Sequence, residues 1–192
     1  MILGLTGGYC SGKSSAAQIL AADGWQVINV DKLGHLALLE KIDEVAALLG
    51  PEVKSGDGLP ERKTIGKMVF KNPALMRQYE AIVHPHMNSL LEKAIRTSKA
   101  DVCIDAAILY RLPAVNECNA VLEIRAPLLQ RIRRAKQRDG TGLFSALARI
   151  HSQSRLWKMG NSLKVPRLVL HNGGNAEALE KCLKKLLSKL VN

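Results

Sequence analysis

The feature that most constrains how this chain folds is its first segment, residues 2 to 15, where an apolar run of strand length enters a glycine-rich turn. Residues 7 to 14 fit the pattern G-x-x-x-x-G-K-[ST], and a run of good helix formers follows. In such a loop the glycines let backbone N–H groups turn inward around phosphate oxygens, and the helix directs its positive dipole end at the same anion. The segment therefore predicts a strand–loop–helix unit that binds a nucleoside triphosphate, in preference to an ordinary glycine-rich turn. The predicted binding residues are Gly8, Cys10, Ser11, Gly12, Lys13, Ser14 and Ser15.

Three residues have the chemistry for a metal-bound nucleotide. Lys13 is placed to reach the β- and γ-phosphates, and the Ser14 hydroxyl to ligate Mg²⁺. Asp105 ends the apolar run 102–104, the form of a strand whose terminal carboxylate holds Mg²⁺ directly or through water, although short apolar strands that end in Asp are also common without that role. No cluster of Cys and His has metal-ligand spacing, so nucleotide-bound Mg²⁺ is the only metal we expect.

The composition is typical of one substantial α/β domain. The 192 residues are 47% hydrophobic, enough for a packed core, and no apolar run approaches the ~20 residues that a membrane span needs. No secretory signal precedes the first strand, and the four cysteines form no C-x-x-C pair. We therefore expect reduced thiols, a cytoplasmic location and no membrane partner.

The net charge of +11 raises nucleic acid as a partner. Aromatic residues make up only 4% of the chain, however, which leaves few side chains on which single-stranded bases could stack. A small enzyme whose ligands carry several phosphates has an equal reason to be basic. We expect no nucleic-acid partner, and these features do not fix an oligomeric state.

The order of apolar runs and turn residues predicts strands that alternate with helices. The predicted strands after the first are 25–30, 100–105, 119–124 and 167–171, and the predicted helices are 13–22, one from Asp31 to about residue 49, 60–71, two more beginning at Pro73 and Pro85, and 176–191. This alternation predicts an α/β fold of the P-loop NTPase type, a three-layer sandwich with a five-stranded parallel sheet covered on both faces. Residues 60–98 contain no predicted strand and form a helical insertion.

Asp31 follows the second predicted strand and is the residue that selects the reaction. An alcohol acceptor needs a carboxylate that aligns its hydroxyl and takes the proton, whereas a phosphate acceptor needs no base. Because ligands of parallel α/β sheets bind beyond the carboxyl ends of the strands, Asp31 is placed for that task. Its alternative role is to cap the following helix, and one residue could do both.

A cationic segment precedes the last predicted strand. Arg131, Arg134 and Arg138 share one helix face by i+3 and i+4 spacing, and arginine suits both phosphate oxygens and the charge on a transferring phosphoryl group. Two interpretations stay open: a mobile lid that closes over ATP, hinged near residues 140–142, and an ordinary basic surface helix.

With these residues identified, the chain resembles the dephospho-coenzyme A kinases, small bacterial enzymes that phosphorylate the ribose 3′-hydroxyl of dephospho-CoA with ATP. The similar segments cover nearly the whole chain: residues 5–14, residues 27–31, Arg62 through Phe70, Asn72-Pro73, Tyr79-Glu80, residues 82–85, Arg149-Ile150, Gln153 and Asn172-Gly173. The chain departs from the usual family pattern at Asn29, where Asp is usual, and at Arg111, where an acid is usual.

The resemblance implies a role for each segment. Asp31 is implied as general base, with Lys13, Arg134 and Arg138 as further catalytic residues. Arg138 and Asn172 are implied to join the loop in binding ATP. The implied acceptor-binding residues are Asp31, Arg62, His84 and Asp105.

The same resemblance divides a single kinase domain into three parts: a core of residues 1–59, 99–128 and 159–192, an acceptor-binding region at 60–98 and a lid at 129–158. The implied partners are ATP and dephospho-CoA, with Mg²⁺ accompanying ATP. The alternatives are another small-molecule P-loop kinase that acts on a different alcohol, a nucleic-acid-binding ATPase and a regulatory GTPase. Residues 31–34 match the D-x-x-G motif of GTPases. A GTPase is nevertheless disfavoured, because the sequence contains no N-K-x-D motif for guanine recognition.

Overall fold

The computed structural model describes residues 1–140, 142–152 and 163–188. The strands are β1 (Ile2–Gly7), β2 (Gln26–Asn29), β3 (Val102–Asp105), β4 (Ala120–Arg125) and β5 (Arg167–His171). The helices within the described residues are α1 (Lys13–Ala22), α2 (Val30–Glu40), α3 (Ile42–Leu49), α4 (Arg62–Val69), α5 (Pro73–Thr97), α6 (Leu128–Asp139), α7 (Leu143–Ser152) and α8 (Ala176–Leu187). Three parts of the chain lie outside the described residues: Thr141 in the predicted hinge, residues 153–162 of the predicted lid and core, which include Gln153, and residues 189–192.

The five strands form one sheet in the order β2-β3-β1-β4-β5. The pairs β1–β3, β1–β4 and β4–β5 run parallel, and Leu5 of β1 lies between Asp105 of β3 and Leu122 of β4. This arrangement confirms the predicted α/β class with a five-stranded parallel sheet. It also brings the carboxyl ends of β1 and β3 together, because parallel neighbours end on the same edge of a sheet.

The chain divides into two compact units, residues 1–28 with 98–192, and residues 29–97. In the first unit, one face of the sheet packs against α1 and α8 through buried apolar residues of both helices. Leu179, Leu183 and Leu187 of α8 recur every four residues and are all buried, which gives the helix one apolar face toward the sheet. The roles predicted for residues 60–98 and 129–158 remain predictions.

The second unit is helical, and several predicted boundaries inside it are wrong. The single helix predicted up to residue 49 is two helices, α2 and α3, which meet at Lys41. The helix predicted from Pro60 begins at Arg62, after the cap residue Glu61. The separate helix predicted to begin at Pro85 does not exist, because α5 runs without interruption through that residue.

Packing explains why α5 continues past a proline. Pro85 lacks the N–H that would bond the preceding turn, which favours a helix end at this position. Val83, Met87 and Leu91 on the same helix are buried, however. Burial of an apolar side chain is worth about 1.5–3 kcal/mol, so the buried stripe on both sides of Pro85 offsets the lost hydrogen bond.

Candidate functional site

The glycine-rich loop joins β1 to α1, and its backbone lies where side chains would not fit. Gly12 has a φ of +102°, and a Cβ added there would lie 2.1 Å from Nδ2 of Asn172. A Cβ added at Gly8 would lie 2.5 Å from Nη2 of Arg131. Position 12 therefore requires glycine because of its backbone conformation and the buried Asn172 beside it, whereas the neighbour of Gly8 is the end of a flexible arginine side chain.

The loop has the unsatisfied polar groups that a triphosphate would need. Gly12 provides no side-chain cap for α1, so the first N–H groups of the helix have no capping side chain. Ser11 Oγ and Arg131 Nη2 are buried and have no hydrogen-bond partner within the described part of the chain. Buried polar atoms without a partner are uncommon, and here they fit an anion. A cavity of about 290 Å³ beside them is lined by Gly8, Ser11, Ile124, Arg125, Ala126 and Arg131.

Lys13 of the loop forms an ion pair with Asp105 at the end of β3, with 14% and 5% of the two side chains exposed. This contact brings Asp105 beside the phosphate loop, and its predicted roles toward Mg²⁺ and the acceptor stay predictions. The hydroxyl of Ser14 and the carboxylate of Asp105 are hard oxygen donors of the kind that Mg²⁺ prefers. No group of three or more His, Cys, Asp or Glu in the described ranges could hold a metal. Ser14 and Asp105 therefore have suitable chemistry for Mg²⁺, and their role as its ligands stays a prediction.

The arginines of α6 contact the loop. Nε of Arg131 donates to the backbone oxygen of Tyr9 at 2.7 Å. Nη1 of Arg134 lies 3.3 Å from the backbone oxygen of Ser11, and its Nη2 lies 3.1 Å from that of Gly174. The interpretation of this segment as an ordinary surface helix is therefore wrong for these residues, because their shared face is directed at the phosphate loop.

Arg138, the third residue of that face, contacts the loop through Tyr9. Its guanidinium forms two hydrogen bonds with Asp139, at 2.8 and 2.9 Å, and lies over the Tyr9 ring at 5.3 Å from the centroid. Arg149 of α7 also lies 5.3 Å from that centroid and donates to the Tyr9 hydroxyl at 3.2 Å. The Arg138 guanidinium holds the pKa of Asp139 well below its usual range. Sequence reasoning missed Tyr9 and Asp139, since the third loop position is unrestricted in the motif.

Asn172 follows β5 and is buried against the loop. Its Nδ2 donates to the backbone oxygen of Ser11 at 2.8 Å, and its backbone N–H donates to the backbone oxygen of Arg125 at 2.6 Å. The side chain therefore holds the loop in shape, and its predicted role in binding ATP stays a prediction.

A second buried cluster lies on β4 and was not predicted. Glu123 is fully buried, and its carboxylate accepts from Tyr110 and from Arg125, with Arg167 at 3.4 Å. Burial and the hydrogen bond to Glu123 raise the pKa of Tyr110. A single Glu in an apolar strand was the signal available in the sequence, and it did not reveal the partners.

In the second compact unit, Asn29 and not Asp31 caps α2. The Asn29 side chain accepts from the backbone N–H of Lys32 at 2.9 Å, while Asp31 lies in the first helical turn. The alternative role of Asp31 as helix cap is therefore wrong. The departure at Asn29 preserves the cap, because Asn and Asp serve this position equally well.

The two other residues predicted for the acceptor in this unit lie on α4 and α5. Arg62 begins α4, and its Nη1 contacts the ring of His35 at 2.9 and 3.1 Å. His84 lies inside α5, eleven residues after the helix begins at Pro73. His86, two residues further along α5, pairs with Glu40 of α2, a contact that the sequence did not indicate.

A glycine-rich phosphate loop after the first strand, with a lysine and a face of arginines directed at it, in a parallel sheet of order 2-3-1-4-5, defines a P-loop kinase. Two solved structures with low identity share the fold: dephospho-CoA kinase from Campylobacter jejuni (TM-score 0.73, 19% identity, 98% of this chain and 96% of that one) and a gluconokinase from Sinorhizobium meliloti 1021 (TM-score 0.52, 16% identity, 99% and 94%).

The family follows from sequence comparison. The dephospho-CoA kinase family model matches residues 1–178. Dephospho-CoA kinase from Thermus thermophilus is 33% identical over 194 residues, covering 100% of this chain and 92% of that protein, and the enzyme from Dehalococcoides mccartyi is 31% identical over 98% and 96%. The crystal structure of TT1252 from Thermus thermophilus aligns with a TM-score of 0.84 at 31% identity over 99% of this chain and 97% of that one. The chain belongs to the dephospho-CoA kinase family, which confirms the predicted family and its reaction, ATP-dependent phosphorylation of dephospho-CoA.

Proposed function

We propose that this chain transfers the γ-phosphoryl group of Mg-ATP to the 3′-hydroxyl of dephospho-CoA, with Asp31 as the general base. The observation that carries the family's reaction to this chain is the match over residues 1–178, which includes the loop, Asp31 and the arginine helix. Family membership also favours this reaction over the other kinase, GTPase and ATPase alternatives.

The phosphate loop supports the nucleotide half of the proposal. Backbone N–H groups and the Ser11 hydroxyl bind phosphate oxygens, and Lys13 exchanges its contact with Asp105 for one with the β- and γ-phosphates. Ser14 and Asp105 would hold Mg²⁺, which neutralises phosphate charge when it is bound. Arg134 and Arg138 stabilise the negative charge on the transferring group, since the planar guanidinium of arginine can present two donors to phosphate oxygens.

Asp31 supports the acceptor half. It follows a strand of the sheet by two residues, and Asn29 already performs the capping role. A carboxylate that is not required by the helix is available to accept the proton of the attacking hydroxyl as the phosphorus–oxygen bond forms. Arg62 and His84 are proposed acceptor contacts, carried by the family resemblance. Partners other than these substrates, and the cytoplasmic location, stay predictions; none of the described helices is long and apolar enough to cross a membrane.

The reaction is tested by product analysis. The protein is incubated with Mg-ATP and dephospho-CoA, adenosine or pantetheine in parallel, and products are identified by mass spectrometry and by the position of the new phosphate. We expect phosphorylation of dephospho-CoA at the ribose 3′-oxygen. Preferential phosphorylation of adenosine or pantetheine would overturn the proposal.

Replacement of Asp31 by Asn tests the base. We expect turnover to fall by roughly 10²–10⁴, the typical contribution of a general base, with ATP affinity nearly unchanged. Glu177→Gln is the control, because Glu177 also lies in the first turn of a helix and its loss costs a similar dipole interaction. A collapse of ATP affinity in Asp31→Asn, or an equal loss of turnover in both variants, would assign Asp31 a structural role.

A further inference from the structure

Tyr9 is the one large aromatic side chain among the loop residues 7 to 14, and three of its atoms or groups contact α6 or α7. Its backbone oxygen accepts from Arg131, its hydroxyl donates to Asp139 at 2.5 Å and accepts from Arg149 at 3.2 Å, and its ring is contacted by Arg138. The phosphate motif requires none of these contacts, because any residue is allowed at this position.

The ring holds two cations at once. The guanidinium carbons of Arg138 and Arg149 each lie 5.3 Å from the ring centroid, within the range of a cation–π interaction. Asp139 completes the cluster through two hydrogen bonds to Arg138 and an ion pair with Arg149 at 3.9 Å. With two arginines and one carboxylate, the cluster keeps a net positive charge beside the phosphate loop.

Contact with the Tyr9 ring limits the conformational freedom of the Arg138 and Arg149 side chains. Arg138 and Arg149 are more than half exposed, at 57% and 59%, and an exposed arginine has many rotamers. Ordering such a side chain when a ligand binds costs affinity, roughly two- to tenfold for each one. An arginine that already rests on a fixed ring has lost most of that freedom before the nucleotide arrives.

We propose that Tyr9 is a positioning residue that holds Arg138 and Arg149 beside the phosphate loop, so that both cations are in place when ATP binds. The inference deepens the proposed function, on which it rests for the role of Arg138. Tyr9 acts through the two arginines and does not itself bind the reacting atoms. The ring is the essential part, and the hydroxyl adds the link to Asp139.

The test compares two replacements in the full chain. Tyr9→Leu removes the ring and the hydroxyl, while Tyr9→Phe keeps the ring. The probe is the Mg²⁺ complex of the non-hydrolysable analogue β,γ-imido-ATP, titrated by calorimetry. We expect affinity to fall about tenfold in Tyr9→Leu and by less than about threefold in Tyr9→Phe. Equal affinity in all three proteins would overturn the proposal.

A mutant cycle separates positioning from a general effect on the loop. In the Arg138→Ala/Arg149→Ala background the same Tyr9→Leu change is expected to cost less than about twofold, because the residues it positions are gone. In an Arg133→Ala background it keeps its full effect, since Arg133 lies on the exposed face of α6. An undiminished loss in the double-alanine background would mean that Tyr9 only shapes the loop. Nucleotide binding needs no acceptor, so this result is independent of whether dephospho-CoA is the substrate.

Discussion

Replacement of Gly12 by Ala tests how the phosphate loop is built. Two separate effects oppose a side chain at this position. The φ of +102° is one that residues with a Cβ rarely adopt, and the added Cβ would lie 2.1 Å from Nδ2 of Asn172. The clash with the added Cβ forces the Asn172 amide to move away. This movement breaks the buried hydrogen bond in which Asn172 donates to the backbone oxygen of Ser11 at 2.8 Å.

The magnitude follows from these two terms. A non-glycine residue in a sparsely populated backbone region costs about 1–3 kcal/mol. A buried polar group that loses its partner costs about another 1–3 kcal/mol. We therefore expect Gly12→Ala to lower the free energy of unfolding by about 2–6 kcal/mol, a large fraction of the roughly 5–15 kcal/mol typical of a folded protein.

The assay is urea unfolding followed by circular dichroism, without nucleotide. Gly24→Ala is the matched control, since Gly24 has a similar φ of +91° and no atom within 4 Å of the added Cβ. It is expected to cost only the backbone term. In an Asn172→Ala background the contact disappears, so Gly12→Ala is expected to cost no more than Gly24→Ala does.

Either of two results would refute this reasoning. The first is a Gly12→Ala cost equal to that of Gly24→Ala in the otherwise unchanged chain, which would mean that Asn172 moves freely. The second is a Gly12→Ala cost that stays high in the Asn172→Ala background, which would assign the loss to another contact of the loop.

Two further predictions concern groups buried in the first compact unit. Asp105→Asn leaves the largely buried Lys13 without its carboxylate and is expected to lower the free energy of unfolding by about 3 kcal/mol. Saturating Mg-ATP is expected to restore part of this loss in a thermal-shift assay. An equal loss with and without nucleotide would contradict the proposal that Lys13 exchanges Asp105 for the phosphates. Burial raises the pKa of Cys118 to about 12 and raises that of Cys103 as well, so the folded chain keeps protons that the unfolded chain releases above pH ~8.5. Stability is therefore expected to fall between about pH 9 and 11, by about 1.4 kcal/mol per pH unit for each thiol, and urea unfolding at about pH 8, 9 and 10 checks the slope. A free energy of unfolding that does not change over this pH range would contradict the raised pKa values of the two thiols.

Much of the fold was predictable because it depends on local periodicity. β5 and α1 have the predicted bounds, and α8 begins where predicted, since caps and apolar spacing are encoded within a few residues. Pro85 misled the prediction because its local preference for a helix end is opposed by burial along α5, which no short window contains. The alternative cap role of Asp31 was wrong for a local reason, because Asn29, two residues earlier, is an equally good capping residue.

The candidate site also has residues that the sequence identified and residues that it missed. Lys13 and Asp105 were both identified from their motifs, and the parallel pairing of β1 with β3 brings them into contact. Tyr9 and Asp139 were missed, although they are joined by a hydrogen bond, because they are 130 residues apart. No sequence pattern connects two positions at that separation without the fold.

The sequence by itself therefore determined the phosphate loop, the α/β class and the chemical types of residue at the site, because glycine spacing, hydrophobic period and side-chain chemistry are local properties. The tertiary structure decided which partners those residues have: Asp105 for Lys13, Asn172 for the loop backbone, and Tyr9 for the arginines of α6 and α7. These contacts join segments that are distant in the chain, and they form only when the sheet and the helices that pack on it bring those segments within a few ångströms.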